Sequence, residues 1–443
     1  MSERTWLVGG RLLDAARGLD GPGAVAVEGG RIVAVTQGAA EPAAGDRVEN
    51  LDGAWLIAGM TDLRCALREP GFEEKETIAS GLRAAAAGGF TQVCATPNTE
   101  PVVDRAAVVA EIAGLATRAK AARLLPVGAA TLGLRHETLA PIGELHSAGC
   151  VALSTGEQPI SSAGFMRRLL EYADGFGLVV MTAPAETTMS GVCDEGPWST
   201  RLGLPETPAA AEAIAVSRDL LLCELTGARL HLQRLSTAVA VELVRQAKAR
   251  GVPVTCDVTP HHLHLTAAAL ATFDPNVKVR PPLRAEADCA ALRAGLADGT
   301  IDCVATDHQP HHIEDKSQEF ERAATGMSAV ETALSLVLAL VNDGTLSAAR
   351  AMALFTEGPR RVLGGGQIGG GQFGGGQFEG ERGLAVGAPA DLTAIDPTHT
   401  WIPSASTLQS RGHNTPWLGQ ALRGRAIVTM VSGDVVWRAA EGS

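Results

Sequence analysis

The chain has 443 residues and a formal net charge of −12 at neutral pH. An acidic chain without a basic, aromatic-rich patch argues against nucleic acid or an anionic membrane as a partner. Its length suits one large domain plus a smaller one. The eight cysteines are scattered without a CxxC pair, as expected of reduced thiols in a cytoplasmic protein. The N-terminal stretch lacks the apolar core of a signal peptide, and no apolar run reaches membrane-spanning length.

Both ends of the chain have the pattern of short β-strands. Two alternating runs surround Gly29-Gly30 within residues 23–35 and predict a hairpin. The C-terminal end contains similar strand and turn patterns. We therefore predict a small composite β-sandwich domain built from residues 1–57 and 383–443.

The middle of the chain alternates between strand-like and helical segments. Helical patterns such as residues 74–87, 209–226 and 237–250 separate most of the strand-like runs. The runs lie near residues 56–60, 91–96, 124–130, 150–154, 178–182, 229–235, 253–258 and 302–306. This alternation predicts an α/β fold, a (β/α)8 TIM barrel over residues 58–362. A doubly wound open sheet is the alternative, but it would need a glycine-rich phosphate loop that the sequence lacks.

A glycine-rich unit of five residues is repeated three times within residues 364–380. This composition favours a flexible linker, and an anion-binding nest is the alternative. We assign residues 363–382 to a linker between the barrel and the returning β domain.

Polar residues follow the predicted strands at the barrel end where catalytic groups collect. The first strand leads into Arg64 and Arg68, and the last leads into Asp307 and His311. Long motifs accompany them: REPGFEEKETIASGLRAAAAGGFTQVCATPNTEP, VTPHHLHLT, NVKVRPPLR, DGTIDCVATDHQPH and NTPWLGQALRG. In this order they resemble the dihydroorotases of the amidohydrolase superfamily. The resemblance covers nearly the whole chain and implies a barrel of the amidohydrolase type.

The resemblance also implies a zinc site, and this sequence lacks its ligands. In relatives, an HxH motif after strand 1, an acid or carboxylated lysine on strand 4 and histidines on strands 5 and 6 bind the metal. Here the HxH positions are Arg64 and Ala66, and Arg234 stands at the strand 6 position. The segment LSTGE has no acid at the family's strand 4 positions, and strand 5 has no histidine. Asp307, which in relatives binds metal and acts as general acid/base, remains.

A catalytic zinc ion takes about three ligands from His, Asp/Glu or Cys. Arginine cannot coordinate a metal, because it is always cationic. We therefore predict that the zinc site is lost and that no metal or other cofactor is bound. We expect Arg64 or Arg234, or both, to pair with Asp307 and replace the metal's charge. The histidines of residues 261–264 and 308–312 could form another cluster, but neighbouring side chains on a strand diverge.

Four further residues match the family's substrate-contacting positions: Arg68, Asn98, Asn276 and His311. An arginine suits a carboxylate because its fork binds both oxygens. Either they still bind an anion like dihydroorotate or carbamoyl aspartate, or they are remnants that hold loops. We interpret them, and Asp307, as vestigial.

The sequence thus leads us to predict that the chain is not an enzyme. The resemblance implies a non-catalytic dihydroorotase homologue in pyrimidine biosynthesis. Its implied role is structural, as the hetero-oligomeric partner of the aspartate carbamoyltransferase catalytic subunit. Two alternatives stay open. One is an active, diverged cyclic amidohydrolase that uses Asp307 and His311, and the other is a regulatory subunit that binds a pyrimidine intermediate through Arg68 and Asn98.

Overall fold

A computed structural model of the chain describes residues 4–364 and 383–440. Residues 365–382, most of the predicted linker, lie outside the described residues. Among the described helices, none has both the length and the apolar character needed to cross a bilayer.

Both ends of the chain contribute strands to one mixed, eight-stranded sheet. The strands are Thr5–Asp14, Leu19–Glu28, Arg31–Gln37, Arg47–Asn50, Trp55–Ala58, Leu392–Trp401, Leu422–Val431 and Asp434–Arg438. The predicted hairpin is confirmed, because the second and third strands pair antiparallel around Gly29 and Gly30, which both have positive φ. The N- and C-terminal parts meet where Trp55–Ala58 pairs antiparallel with Leu392–Trp401. The β-rich domain predicted from both termini is thereby confirmed.

The middle of the chain forms a parallel eight-stranded barrel, as predicted. Its strands are Met60–Cys65, Phe90–Ala95, Arg123–Ala129, Ala152–Ser154, Val179–Thr182, Leu230–Leu232, Val254–Val258 and Cys303–Val304. They pair in chain order, and a parallel bridge between Cys65 and His308 joins the last strand to the first. Two short strands, Cys193–Asp194 and Glu206–Thr207, pair with each other outside the barrel.

Helices surround the barrel and cover its strands. The α-helices are Ile78–Ala87, Ala106–Ala119, Ile142–Ser147, Ala163–Asp174, Pro197–Leu202, Ala209–Thr226, Ala238–Ala249, Pro260–His264, Glu286–Asp298, Ile313–Lys316, Ala333–Asn342, Ala348–Ala353 and Glu357–Val362. Short 3-10 helices span Ala15–Arg17, Leu132–Leu134, Thr187–Met189, Ala267–Thr272 and Pro275–Val277. The helix predicted from residue 74 begins instead at Ile78, because Thr77 and Ser80 cap it reciprocally.

The predicted position of the first barrel strand was wrong. The apolar run Trp55–Ala58 belongs to the terminal sheet, and the barrel strand is the more polar Met60–Cys65. Gly59 separates the two, and a Cβ at this position would lie 2.2 Å from Thr91 Oγ1. The polar strand can be buried because its charged residues bind residues that follow the adjacent last strand, at the seam where the barrel closes.

Candidate active site

The first, sixth and eighth barrel strands bring three predicted residues together at the barrel mouth. Arg64 donates from Nε to Asp307 Oδ1 at 2.6 Å. Arg234 donates from Nη1 to Asp307 Oδ2 at 3.3 Å and to Oδ1 at 3.5 Å. All three side chains are at most 2% exposed. The pairing expected between the arginines and Asp307 is therefore present in the structure.

Glu157 completes this group, and the sequence reasoning missed it. Arg64 Nη2 donates to Glu157 Oε1 at 2.5 Å, and Arg234 Nη1 donates to Oε2 at 3.1 Å. Glu157 lies in the segment LSTGE, just beyond the family's strand 4 positions, so an acid next to those positions was the available signal. We call Arg64, Arg234, Asp307 and Glu157 the charge cluster. Its two cations and two anions balance.

The cluster stays ionised at neutral pH. Burial raises the pKa of Asp307, but the positive charges of Arg234 and Arg64 outweigh burial and hold the pKa below its ordinary value. Glu157 behaves in the same way, with burial opposed by the same two arginines and its pKa lowered. Burial lowers the pKa of Arg234, and Asp307 and Glu157 raise it further than burial lowers it. The cluster is thus a set of fixed charges.

Two buried aspartates hold the backbone beneath the cluster. Asp62 accepts hydrogen bonds from Thr306 N at 2.8 Å and from Thr306 Oγ1 at 2.6 Å. Burial raises the pKa of Asp62 to about 7, despite the bonds from Thr306. Asp257 accepts from Arg234 N at 2.6 Å and lies 2.9 Å from His231 Nε2. These contacts fix the ends of the strands that carry the cluster.

Three residues of the site hold positive φ angles, at Arg68 (64°), Arg234 (59°) and Asp307 (49°). Left-handed backbone costs a non-glycine residue roughly 1–2 kcal/mol. Such strain is commonly kept where function requires it. Its presence at three charged residues of one barrel end supports a functional role for this end.

Arg68 and His311 lie together beside the cluster. Arg68 Nε donates to Pro310 O at 3.1 Å. His311 Nε2 lies 3.2 Å from Arg68 Nη2 and 3.0 Å from Thr325 O. Thr325 O can only accept and Arg68 Nη2 can only donate, so this nitrogen can form a hydrogen bond with only one of the two at a time. Burial, helped by Arg68, lowers the pKa of His311 to about 3, so the ring is neutral.

The other predicted positions are less closely joined to the cluster. Ala66 N donates to His308 O at 2.9 Å, so Ala66 lies along the barrel seam. Asn98 is half-buried, and Asn276 lies in a 3-10 turn where its N–H donates to Asp274. Within residues 4–364 and 383–440, the side chains of Asn98 and Asn276 form no hydrogen bond with the cluster or with Arg68 and His311.

The donors at the barrel mouth do not fit a zinc ion. Within the described part of the chain, no three His, Cys, Asp or Glu side chains converge as metal ligands. The two acids of the cluster are already bound by arginines. The histidine-rich segments do not converge either, since His262 contacts Thr259 and Pro281 O, whereas His264 contacts Leu336 O.

The chain is similar to proteins named dihydroorotase. Residues 53–239 match the family described as Dihydro-orotase-like. A dihydroorotase of Anaeromyxobacter dehalogenans (strain 2CP-C) is 45% identical, and the match covers 98% of both chains. A dihydroorotase of Pelobacter propionicus is 43% identical over 97% of this chain and 98% of its own.

Solved structures support the fold. L-hydantoinase (dihydropyrimidinase) from Arthrobacter aurescens has a TM-score of 0.84 at 23% identity, covering all of this chain and 97% of its own. Dihydropyrimidinase from Brevibacillus agri NCHU1002 has a TM-score of 0.81 at 21% identity, covering 98% and 95%. The predicted (β/α)8 barrel of the amidohydrolase type with a β-rich terminal domain is confirmed.

These relatives contradict the prediction that the chain is not an enzyme. Relatives 41–45% identical over nearly the full chain carry the name of an enzyme. The prediction equated the loss of one ligand set with the loss of the reaction. Although the zinc ligands are absent, the barrel mouth keeps an ionised acid, Asp307, and two fixed cations, Arg64 and Arg234. The chain belongs to the dihydroorotase-like family of amidohydrolases.

Proposed function

We propose that the chain catalyses the reversible hydrolysis of a cyclic amide of the dihydroorotate type to an open-chain N-carbamoyl acid. The observation that carries this proposal is the near-complete match to proteins named dihydroorotase. The charge cluster at the barrel mouth supports it, because this end of a (β/α)8 barrel is where catalytic groups lie.

In the proposed reaction, water attacks the ring carbonyl and Asp307 accepts its proton. The carbonyl carbon gains the water oxygen, the ring C–N bond breaks, and the proton passes to the departing nitrogen. Asp307 is unprotonated at neutral pH, because Arg234 and Arg64 hold its pKa below the ordinary value, so it is in the form that can accept a proton. Within the described residues its Oδ2 accepts only the long contact from Arg234, which leaves room for a water proton.

The arginines supply the positive charge at the reacting centre. Negative charge develops on the carbonyl oxygen as water adds, and fixed cations in a buried site stabilise it without reorganising. Arg64 and Arg234 are held by two acids each, so their positions are set before the substrate arrives. Arg68, beside the neutral His311, is placed to receive the carboxylate of the substrate.

A ring-opening assay tests this proposal. Purified protein is assayed for interconversion of dihydroorotate and N-carbamoyl-L-aspartate, once with chelator and once with added zinc. We expect turnover by the wild type and a loss of at least about 100-fold in kcat for Asp307→Asn, the range for a general base. Arg167→Gln is the control, because Arg167 pairs with Glu171 on the exposed face of an outer helix.

Absence of turnover in both buffers by a folded wild type would contradict the proposal. Equal rates for the wild type and Asp307→Asn would leave the reaction standing and remove Asp307 from it.

We also propose a cytoplasmic location and association with an aspartate carbamoyltransferase catalytic chain. The support is the sequence resemblance from which the partner was predicted. Co-expression of the two chains followed by size-exclusion chromatography tests the association. Elution of the two chains at their separate sizes at micromolar concentration would count against it.

A further inference from the structure

A cleft opens beside the charge cluster. It is lined by residues 157–159, 183–187, 190–191 and 280–282, together with a few side chains from neighbouring elements. Glu157 and Arg234 belong to both the cleft and the cluster, whereas Arg68 and His311 do not line the cleft. A ligand that contacts the cluster can therefore reach cleft residues other than Arg68 and His311.

Most charges that line the cleft already have partners. Arg284 donates to Asp194 Oδ1 at 2.7 Å and to a backbone carbonyl. Glu212 accepts from the backbone of Ser236, and Glu186 accepts from Thr188 in its own turn. Arg280 is half-buried, and its side chain forms no ion pair or hydrogen bond with another residue of the described ranges. Arg280 is thus a cation of the cleft that has no counter-ion among the residues that the structure describes.

Arg234 has two guanidinium nitrogens without a hydrogen-bond partner in the described structure. Its Nη1 serves Asp307 and Glu157, but Nε and Nη2 are buried without an acceptor in the described structure. These two nitrogens form one edge of the guanidinium, and this edge is the fork that binds a carboxylate through both oxygens. Buried donors left without acceptors are unfavourable, so the edge favours an occupant that accepts hydrogen bonds.

We propose that Arg280 and the free edge of Arg234 hold a second carboxylate of the ligand, separate from the one expected at Arg68. The ligand class is an open-chain N-carbamoyl dicarboxylic acid. Hydrolysis of the cyclic amide creates one carboxylate, so the open form carries one more than the ring. This inference rests on the proposed function, and it makes Arg280 a specificity-determining residue for the open form.

Calorimetric titration with two probes tests the inference. N-carbamoyl-L-aspartate has both carboxylates, whereas N-carbamoyl-L-alanine lacks the one that ring opening would create. For Arg280→Gln we expect affinity for the first probe to fall at least tenfold and affinity for the second to change less than twofold. Arg280→Lys should recover part of the loss, and Arg167→Gln, which removes the same charge from an outer helix, should change neither.

Three results would overturn the inference: equal losses for both probes, no loss for either, or no binding of the dicarboxylate by the wild type. If only a water molecule occupies the free edge of Arg234, Arg280→Gln should lose affinity for neither probe. Because the titration measures binding and needs no turnover, its result can distinguish a failure of the proposed function from a failure of this inference. Selective binding without ring opening would refute the proposed function alone, and ring opening with unchanged binding by Arg280→Gln would refute this inference alone.

Discussion

Removing Arg64 should destabilise the protein because it leaves the charge cluster with one anion in excess. Arg64 donates to Asp307 at 2.6 Å, to Gln233 at 2.9 Å and to Glu157 at 2.5 Å. Breaking a buried ion pair from one side costs about 3–5 kcal/mol, because the remaining charge stays buried. Glu157 is 32% exposed and recovers some hydration. We therefore expect Arg64→Met to lower the free energy of unfolding by about 3–4 kcal/mol.

The double variant makes this prediction specific to charge balance. Asp307→Leu alone leaves two arginines facing one acid and should also cost about 3–5 kcal/mol. Together, the two changes restore balance, since Arg234 and Glu157 remain paired at 3.1 Å. The double variant should therefore be destabilised by clearly less than the sum of the single variants.

Urea denaturation followed by tryptophan fluorescence measures these free energies. Arg167→Ala is the control, because its pair with Glu171 is about half exposed and worth at most about 1 kcal/mol. A cost below about 1 kcal/mol for Arg64→Met would refute the reasoning, as would strict additivity in the double variant.

Three further changes probe other parts of the structure. The pKa of Asp62 is about 7 in the folded protein against an ordinary 3.8, so the folded state binds more protons than the unfolded state between these pH values. Stability therefore falls as pH rises through this range. Asp62→Asn should make the urea midpoint depend less on pH between pH 4.5 and 7. Lys316 Nζ donates to Ala324 O and to Gly326 O, so Lys316→Met should cost about 1–3 kcal/mol and speed hydrogen exchange in that loop. Gly71 has φ +98°, and a Cβ there would lie 2.4 Å from Glu100 O. Gly71→Ala should lower the melting temperature by several degrees for a cost of about 2–4 kcal/mol, whereas Gly21→Ala, with open space around it, should not.

The barrel was predictable because each strand is a short apolar run between helical patterns. The exception is the first barrel strand, where the apolar run Trp55–Ala58 was predicted in place of the polar strand Met60–Cys65. Asp62 and Arg64 make Met60–Cys65 look like a loop, and their burial depends on Thr306 and Asp307, far away in the sequence. A local pattern cannot reveal a compensating partner so distant along the chain.

The site was predictable where a motif position could be checked. The order of the strands predicted the positions of Arg64, Arg234 and Asp307 at the barrel mouth. In the structure both arginines contact Asp307. Glu157 was missed because its role is set by two arginines from other strands. The free edge of Arg234 is also invisible in the sequence, since it depends on which nitrogens the neighbouring acids occupy.

The terminal sheet has a consequence for synthesis on the ribosome. Trp55–Ala58 needs Leu392–Trp401 as its neighbour, and about 330 residues separate the two strands. At ordinary translation speeds of about 5–20 residues per second, the N-terminal strands wait about 17–67 s for this partner. During that time they present an apolar edge to other nascent chains. Molecular chaperones that shield such an edge should therefore raise the yield of folded protein.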